Sequence, residues 1–190
     1  MVAHDIIGIG ASAGGVTALR ELFMALPASL PATVFVVLHR GIHAGPLEVV
    51  LGRRAGLPVV QPTDDTAPER GHIYVAPPDH HMVVRQDRIR WDAGAKEHFS
   101  RPAVDPLFRS LAAQYGPRVV GVVLTGYGRD GALGLVAITA AGGLTLAQDP
   151  DEAERPEMPE HAIQGNHIDR VVSLDALPAM LSAIASGHPW

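Results

Sequence analysis

The sequence predicts an α/β fold: a doubly wound, mostly parallel sheet with helices on both faces and a small antiparallel β-hairpin. Three observations carry that prediction. Short apolar runs alternate along the chain with segments of helical periodicity. Two of the runs, TVFVVL at 33–38 and VVGVVL at 119–124, are apolar almost without interruption, as strands buried on both faces must be. Three short strand-like runs crowd residues 72–91, too close together for crossover helices and suited to a hairpin.

Each element follows from its own pattern. Residues 5–10 (DIIGIG) form an apolar strand ending in small residues. Residues 14–26 place Val16, Leu19, Leu22, Phe23 and Leu26 at helical spacing, and Pro27 ends that helix. Thr33 to Leu38 is the second strand. Pro46 to Ala55 reads as a helix with proline near its first turn, and Leu57 to Gln61 as a short strand. His72–Ala76, Met82–Arg85 and Arg88–Trp91 are the crowded strands. Gln86-Asp87 is the two-residue turn candidate, without the Gly or Asn such turns favour. A polar loop covers 93–102. Pro106 to Tyr115 is helical by pattern, Val119 to Leu124 a buried strand, Asp130 to Ala141 a helix and Leu144 to Ala147 a strand. A short helix at Glu160–Gln164, a strand at Asp169–Val172 and a helix at Leu174–Ala185 complete the chain. No repeat or linker divides it, so residues 1–190 are expected to form a single domain.

Composition bounds the function. The chain has 190 residues, 47% of them hydrophobic and 18% charged, so it is neither disordered nor a coiled coil. It has no cysteine, which excludes disulfides, thiolate metal ligands and a cysteine nucleophile, and fits a cytoplasmic location. A net charge of -5 argues against a broad basic face for nucleic acid. No apolar run approaches the roughly 18 residues of a membrane span, and no secretory signal opens the chain.

In an open parallel sheet, ligands bind beyond the carboxyl ends of the strands. Ser12 follows the first strand within GASAG, the G-x-S-x-G pattern of a nucleophile on a tight strand-to-helix turn. The bland alternative is a serine that only caps the next helix. The same stretch, GIGASA at 8–13, also fits a dinucleotide-binding G-x-G-x-x-A loop. That reading wants an acid after the second strand, where His39 and Arg40 stand instead; Arg40 leaves a phosphorylated ribose open. In a right-handed β-α-β unit His39 lies beside Ser12, in place to take its proton. His43 follows one helical turn on, and His4 precedes the first strand, at the wrong end. His80 and His81 open the hairpin, where they line a groove; as a metal pair they have only Asp79 nearby, so no metal site is expected. The acid to orient His39 is Asp130, after the strongest buried strand, with Asp149 as rival and Asp64, Asp65 and Asp105 less well placed. Asp130 has its own bland alternative, a cap on the helix that follows. Gly126 and Gly128 permit close backbone approach to a bound group.

With those residues in place, nearly the whole chain, from about Ile6 to Leu181, resembles the catalytic domain of the CheB-type chemotaxis methylesterases. The segments that carry the resemblance are IGIGASAGG (7–15), FVVLHR (35–40), GHIYVAPPDHH (71–81), RPAVDPLF (101–108), VVLTGYGRDGALG (122–134), AGGLTLAQD (141–149) and MPEHAI (158–163). The resemblance implies a doubly wound α/β domain with a catalytic triad of Ser12, His39 and Asp130. It implies hydrolysis of glutamate γ-methyl esters on chemoreceptor cytoplasmic helices, and deamidation of receptor glutamines, with no cofactor. It further implies control by a receiver domain, in the same polypeptide or as a separate response regulator. The oxyanion site and pocket are assigned to Ala13, Gly126, Tyr127 and Gly128. The chain departs from the family pattern in three places: Ala13 replaces a hydroxyl residue, Tyr127 replaces methionine, and 151–157 (DEAERPE) replaces an apolar, glycine-containing stretch. The alternatives are a non-catalytic docking module of the same fold and a nucleotide-binding domain.

Overall fold

A computed structural model of the chain describes residues 4–41, 45–165 and 167–190. Its strands are β1 (Ile6–Ala11), β2 (Thr33–Leu38), β3 (Val59–Val60), β4 (Ile73–Val75), β5 (His81–Arg85), β6 (Arg88–Asp92), β7 (Val119–Val123), β8 (Leu144–Gln148) and β9 (Arg170–Val172). Its helices are α1 (Gly15–Ala25), α2 (Leu47–Gly52), α3 (Val104–Tyr115), α4 (Ala132–Ala140), α5 (Glu157–Gln164) and α6 (Leu177–Ala185). Seven strands form one sheet in the order β3-β4-β2-β1-β7-β8-β9, and all its pairings are parallel. The other two form a separate antiparallel ribbon. This is the predicted architecture, except that the first of the three crowded strands, β4, joins the parallel sheet beside β2 and leaves the hairpin to β5 and β6. The hairpin turn closes on Gln86 and Asp87 at φ 53° and 54°, and the Gln114 side chain accepts the Gln86 N–H at 2.9 Å. A side chain from α3 thus supports a turn that lacks glycine and asparagine.

Alternation along β1 sorts the two faces. Ile7, Ile9 and Ala11 join a core with Leu19, Leu22 and Phe23 of α1 and Leu177, Leu181 and Ile184 of α6. Gly8 and Gly10 turn to the other face, where α3 lies. A Cβ on Gly8 would come within 2.8 Å of Leu111, and one on Gly10 within 2.4 Å of Val104. Bare backbone therefore lets α3 settle directly on β1. Gly121 of β7 does the same for α4, under Leu135 and Ile138. Phe108 and Leu111 are fully buried at this junction, each contributing about 1.5–3 kcal/mol. The packing brings the N-termini of α3 and α4 together above the carboxyl ends of β1 and β7. Those strands flank the switch point, because the chain leaves β1 toward β2 and returns to add β7 on its other side.

Candidate active site

Ser12 and His39 are the residues next after paired strand ends. Ala11 lies opposite Leu38 in the β1–β2 register, and the ladder continues with His39 N–H donating to Ala11 O at 3.1 Å. On the other side Ser12 N–H donates to Thr125 O at 3.0 Å, which joins the turn after β1 to the loop after β7. Gly15 N–H then donates to Ser12 O at 2.9 Å, and Gly14 takes φ 77° at the start of α1. The turn is tight because its backbone bonds close it within four residues.

The structure brings Ser12, His39 and Asp130 to one cleft of about 370 Å³, lined also by His98, Phe99, Tyr127, Gly128 and Arg129. His39 Nε2 lies 2.6 Å from Asp130 Oδ2. The ring nitrogen left for Ser12 is Nδ1, and among the described residues Ser12 Oγ and His39 share no hydrogen bond. Such contacts commonly tighten only when substrate is bound. A second opening of about 550 Å³ reaches Ser12 and His39 from the side of α1 and α2, past Val16, Leu38, Val50 and Glu154. Arg40 lies there too, but its guanidinium donates to Gly45 O, Gln61 Oε1 and Ala76 O. Those bonds engage the one cation that the dinucleotide reading had left.

Asp130 is not the cap of its own helix. α4 begins at Ala132, two residues later than the sequence pattern indicates, and Gly131 precedes it at φ 97°. Asp130 instead reaches α3: its Oδ2 accepts Val104 N–H at 2.6 Å and its Oδ1 accepts Asp105 N–H at 2.9 Å. Ala103, the residue before α3, has no side chain able to do this. Asp105 returns the favour, its Oδ1 accepting Gly131 N–H at 3.0 Å and Gly134 N–H at 2.6 Å. The two aspartates cap each other's helices. Burial acts to raise the Asp130 pKa, yet hydrogen bonds from His39 and the two α3 amides hold it below the usual carboxylate range. Asp105 goes the other way, raised by burial and by the neighbouring Asp130 charge against its bonds from Gly134 and His98. Asp105→Ala should cost about 1–2 kcal/mol through the lost cap and lower Tm by about 2–8 °C; a thermal melt checks it.

His98, which the sequence reading passed over, completes this network. Its Nε2 lies 2.8 Å from Asp105 Oδ2 and 3.8 Å from Asp130 Oδ1. These atoms are close enough to share an ion, but they already meet each other and the helix amides in hydrogen bonds. His81 has a structural place: its Nδ1 accepts Ala103 N–H at 3.1 Å, and its Nε2 faces Ala95 O at 2.9 Å. His80 packs against Trp91, the two rings tilted with centroids 5.3 Å apart. Asp149 shares no hydrogen bond with His39 among the described residues, and its Oδ1 accepts the local Asp151 N–H. His43 lies outside the described residues.

The pocket residues divide. Ala13 N–H has no acceptor among the described residues and stands at the turn that carries Ser12. Gly126 N–H donates to Arg155 O at 2.9 Å and Gly128 N–H to a Glu157 carboxylate oxygen at 3.1 Å, so one amide is engaged by the stretch before α5 and the other by the first residue of α5. Gly126 is glycine for want of room: a Cβ would meet Met158 Sδ at 2.2 Å and Ser12 Cβ at 2.7 Å. Tyr127 is 51% exposed, with the Arg155 guanidinium 5.2 Å from its ring centroid.

Comparison with known proteins bears on the family and the fold. The family model of the CheB methylesterases matches residues 7–181. A putative protein-glutamate methylesterase/protein-glutamine glutaminase of Leptospira interrogans is 34% identical over 176 residues, spanning 92% of this chain and 91% of its own length. A protein-glutamate methylesterase/protein-glutamine glutaminase of Xanthomonas euvesicatoria is 38% identical over 185 residues; this chain spans 52% of its length. The crystal structure of the Thermotoga maritima CheB methylesterase catalytic domain superimposes with a TM-score of 0.91, at 29% identity, covering 96% of this chain and all of that one. Sheet order, helix placement and a match over nearly the whole length place the chain in the CheB methylesterase family.

Proposed function

We propose that the chain is a serine hydrolase that removes methyl groups from glutamate γ-methyl esters of chemoreceptor cytoplasmic helices, with glutamine deamidation as a slower reaction of the same site. The observation that carries this reading is the placement of Ser12, His39 and Asp130 beyond three adjacent parallel strands, with His39 hydrogen-bonded to Asp130 at 2.6 Å. Ser12 Oγ attacks the ester carbonyl as His39 Nδ1 takes its proton. Asp130, ionised, fixes the imidazole with its proton on Nε2 and stabilises the imidazolium that forms. Ala13 N–H is the donor best placed for the oxyanion. The intermediate collapses, His39 returns its proton to the departing methoxide, and methanol leaves. Water, activated by His39, then hydrolyses the acyl-enzyme and frees the glutamate. Apart from that water, these steps use only the chain's own side chains and backbone. Methanol release from methylated receptor membranes tests the reading; no release above background would end it. We place the enzyme in the cytoplasm, with a receiver domain or response regulator as its controlling partner. No described helix is long and apolar enough to cross a membrane.

The acidic stretch before α5 bears on substrate choice. Arg155 N–H donating to Thr125 Oγ1 ties it to the loop after β7, and Met158 N–H of α5 donates to Gly126 O beside it. Its acids differ in role. Glu152 accepts from Gln148 and from Leu174 N–H, and Glu157 accepts from Gly128. Glu154 lies over Gly14 and lines the opening to Ser12. It faces an approaching substrate with like charge wherever that substrate is rich in glutamate. Glu154→Gln should raise kcat/KM on an acidic receptor segment roughly 2- to 5-fold at low salt and less as salt screens the repulsion. An unchanged kcat/KM at both salt concentrations would remove Glu154 from substrate choice.

A further inference from the structure

The two-residue turn at His98 and Phe99 has a cost that its inward side does not explain. Glu97 and Ser100 close it with a pair of backbone hydrogen bonds at 3.1 and 2.8 Å. Both central residues lie at positive φ, 50° for His98 and 61° for Phe99, where Asn-Gly is the favoured pair. The surroundings hold this conformation. Glu97 pairs with Arg109 at 2.6 Å, His98 with Asp105 at 2.8 Å, and Ser100 Oγ donates to Pro102 O at 2.7 Å. His98 points in. Phe99 points out and is 98% exposed, the most exposed large apolar side chain among the described residues. It sits on the wall of the cleft that Ser12 and His39 line, with half-exposed Tyr127 on the same wall. A strained turn that presents a bare aromatic ring beside a nucleophile is a feature of a binding surface.

We propose that Phe99 is a specificity-determining anchor, its ring packing against an apolar side chain of the helical segment that carries the ester, about one helical turn from the esterified glutamate. The occupant is the amphipathic receptor helix of the proposed function: the ring offers its apolar side a contact beside the ester site, while Glu154, lining the other opening to Ser12, disfavours further acidic residues there. This inference rests on the methylesterase reading for its substrate. It adds a requirement for the side chain next to the ester that the triad alone does not impose.

The test uses a synthetic amphipathic helix carrying one glutamate γ-methyl ester and a leucine one turn away, the same peptide with alanine for leucine, and the blocked single-residue ester. Phe99→Ala should lower kcat/KM on the leucine peptide by about 10- to 100-fold, the range expected for one buried aromatic contact, and the loss should lie in KM. The alanine peptide should show the same loss with the parent enzyme and little further loss with the variant. The single-residue ester, which brings no second side chain to the ring, should lose far less than the leucine peptide. Phe99→Gly should lose the same activity while raising Tm by about 2–4 °C, because glycine relieves the positive φ. Unchanged activity of Phe99→Ala on the leucine peptide overturns the proposal. So does an equal loss on the single-residue ester, which would mean that the ring acts through the turn on His98 and Asp105. Peptide binding to Ser12→Ala, with and without Phe99→Ala, separates this proposal from the hydrolase reading. If the parent releases no methanol, that reading falls, and a Kd weakened about tenfold or more by Phe99→Ala still supports the anchor while an unchanged Kd overturns it.

Discussion

Ser12→Ala is expected to abolish methanol release and leave the fold intact. In serine hydrolases of this design, loss of the nucleophile costs about 10⁶ in turnover, so the variant should fall to the background of the assay. The structural argument concerns what survives. The turn is closed by Ser12 N–H on Thr125 O, Gly15 N–H on Ser12 O and His39 N–H on Ala11 O, all of them backbone bonds that alanine keeps. The crowding that requires glycine at 126 comes from Met158 and from the Ser12 Cβ, and alanine keeps that Cβ. Only the hydroxyl leaves, and it accepts nothing and donates to nothing among the described residues. Tm should therefore stay within about 2 °C of the parent. Methanol release at the parent rate would rule out Ser12 as nucleophile. A large fall in Tm would leave the lost activity without meaning, and the near-isosteric Ser12→Cys would then serve as the test.

The sheet was legible because its strands need no distant help. Residues 33–38 and 119–124 read as buried strands from composition alone, and the structure buries all of β2 and β7. Ser12 and His39 were legible for the same reason, since each follows a readable strand and parallel pairing sets adjacent ends side by side. The helix starts were not. α3 begins at Val104, before the Pro106 that the periodicity suggested, and α4 begins at Ala132. In both cases the caps come from the other helix's segment, Asp130 for α3 and Asp105 for α4, so no local cap pattern marks either start. Asp105 looked poorly placed in the sequence because its partners at Gly131 and Gly134 are more than twenty residues away. His98 escaped notice in a polar loop; the only local hint was the Asp seven residues on, to which it bonds. The predicted hairpin at 82–91 formed in spite of a weak turn, because Gln114 supplies a bond that the turn sequence lacks.

Asp130→Asn should cost activity and stability together, and the pairing of the two distinguishes a triad acid from a structural cap. Asp130 Oδ2 accepts from both His39 and Val104 N–H, and Oδ1 accepts from Asp105 N–H. An asparagine has one oxygen for these three donors. With its NH₂ toward His39, it reverses the imidazole tautomer and removes the proton acceptor Ser12 needs, a change that costs about 10⁴ in turnover in a serine protease. With its NH₂ toward Asp105, it sets two N–H groups against each other and gives up part of the α3 cap. Either way a buried donor loses its partner, worth about 1–3 kcal/mol, so Tm should fall by about 2–12 °C beside the loss of turnover. The stability part has a pH signature. The folded-state pKa of Asp130 is depressed, so its ionised form adds stability above the unfolded pKa, and that contribution is lost as pH falls through the folded value. The gap in stability between parent and Asp130→Asn should accordingly be full at neutral pH and narrow in acid. Asp149→Asn, whose carboxylate among the described residues meets the Asp151 amide alone, should change turnover little and leave no such gap. A larger loss of turnover at Asp149 would transfer the role of acid to it, and small equal losses would leave His39 without a catalytic partner.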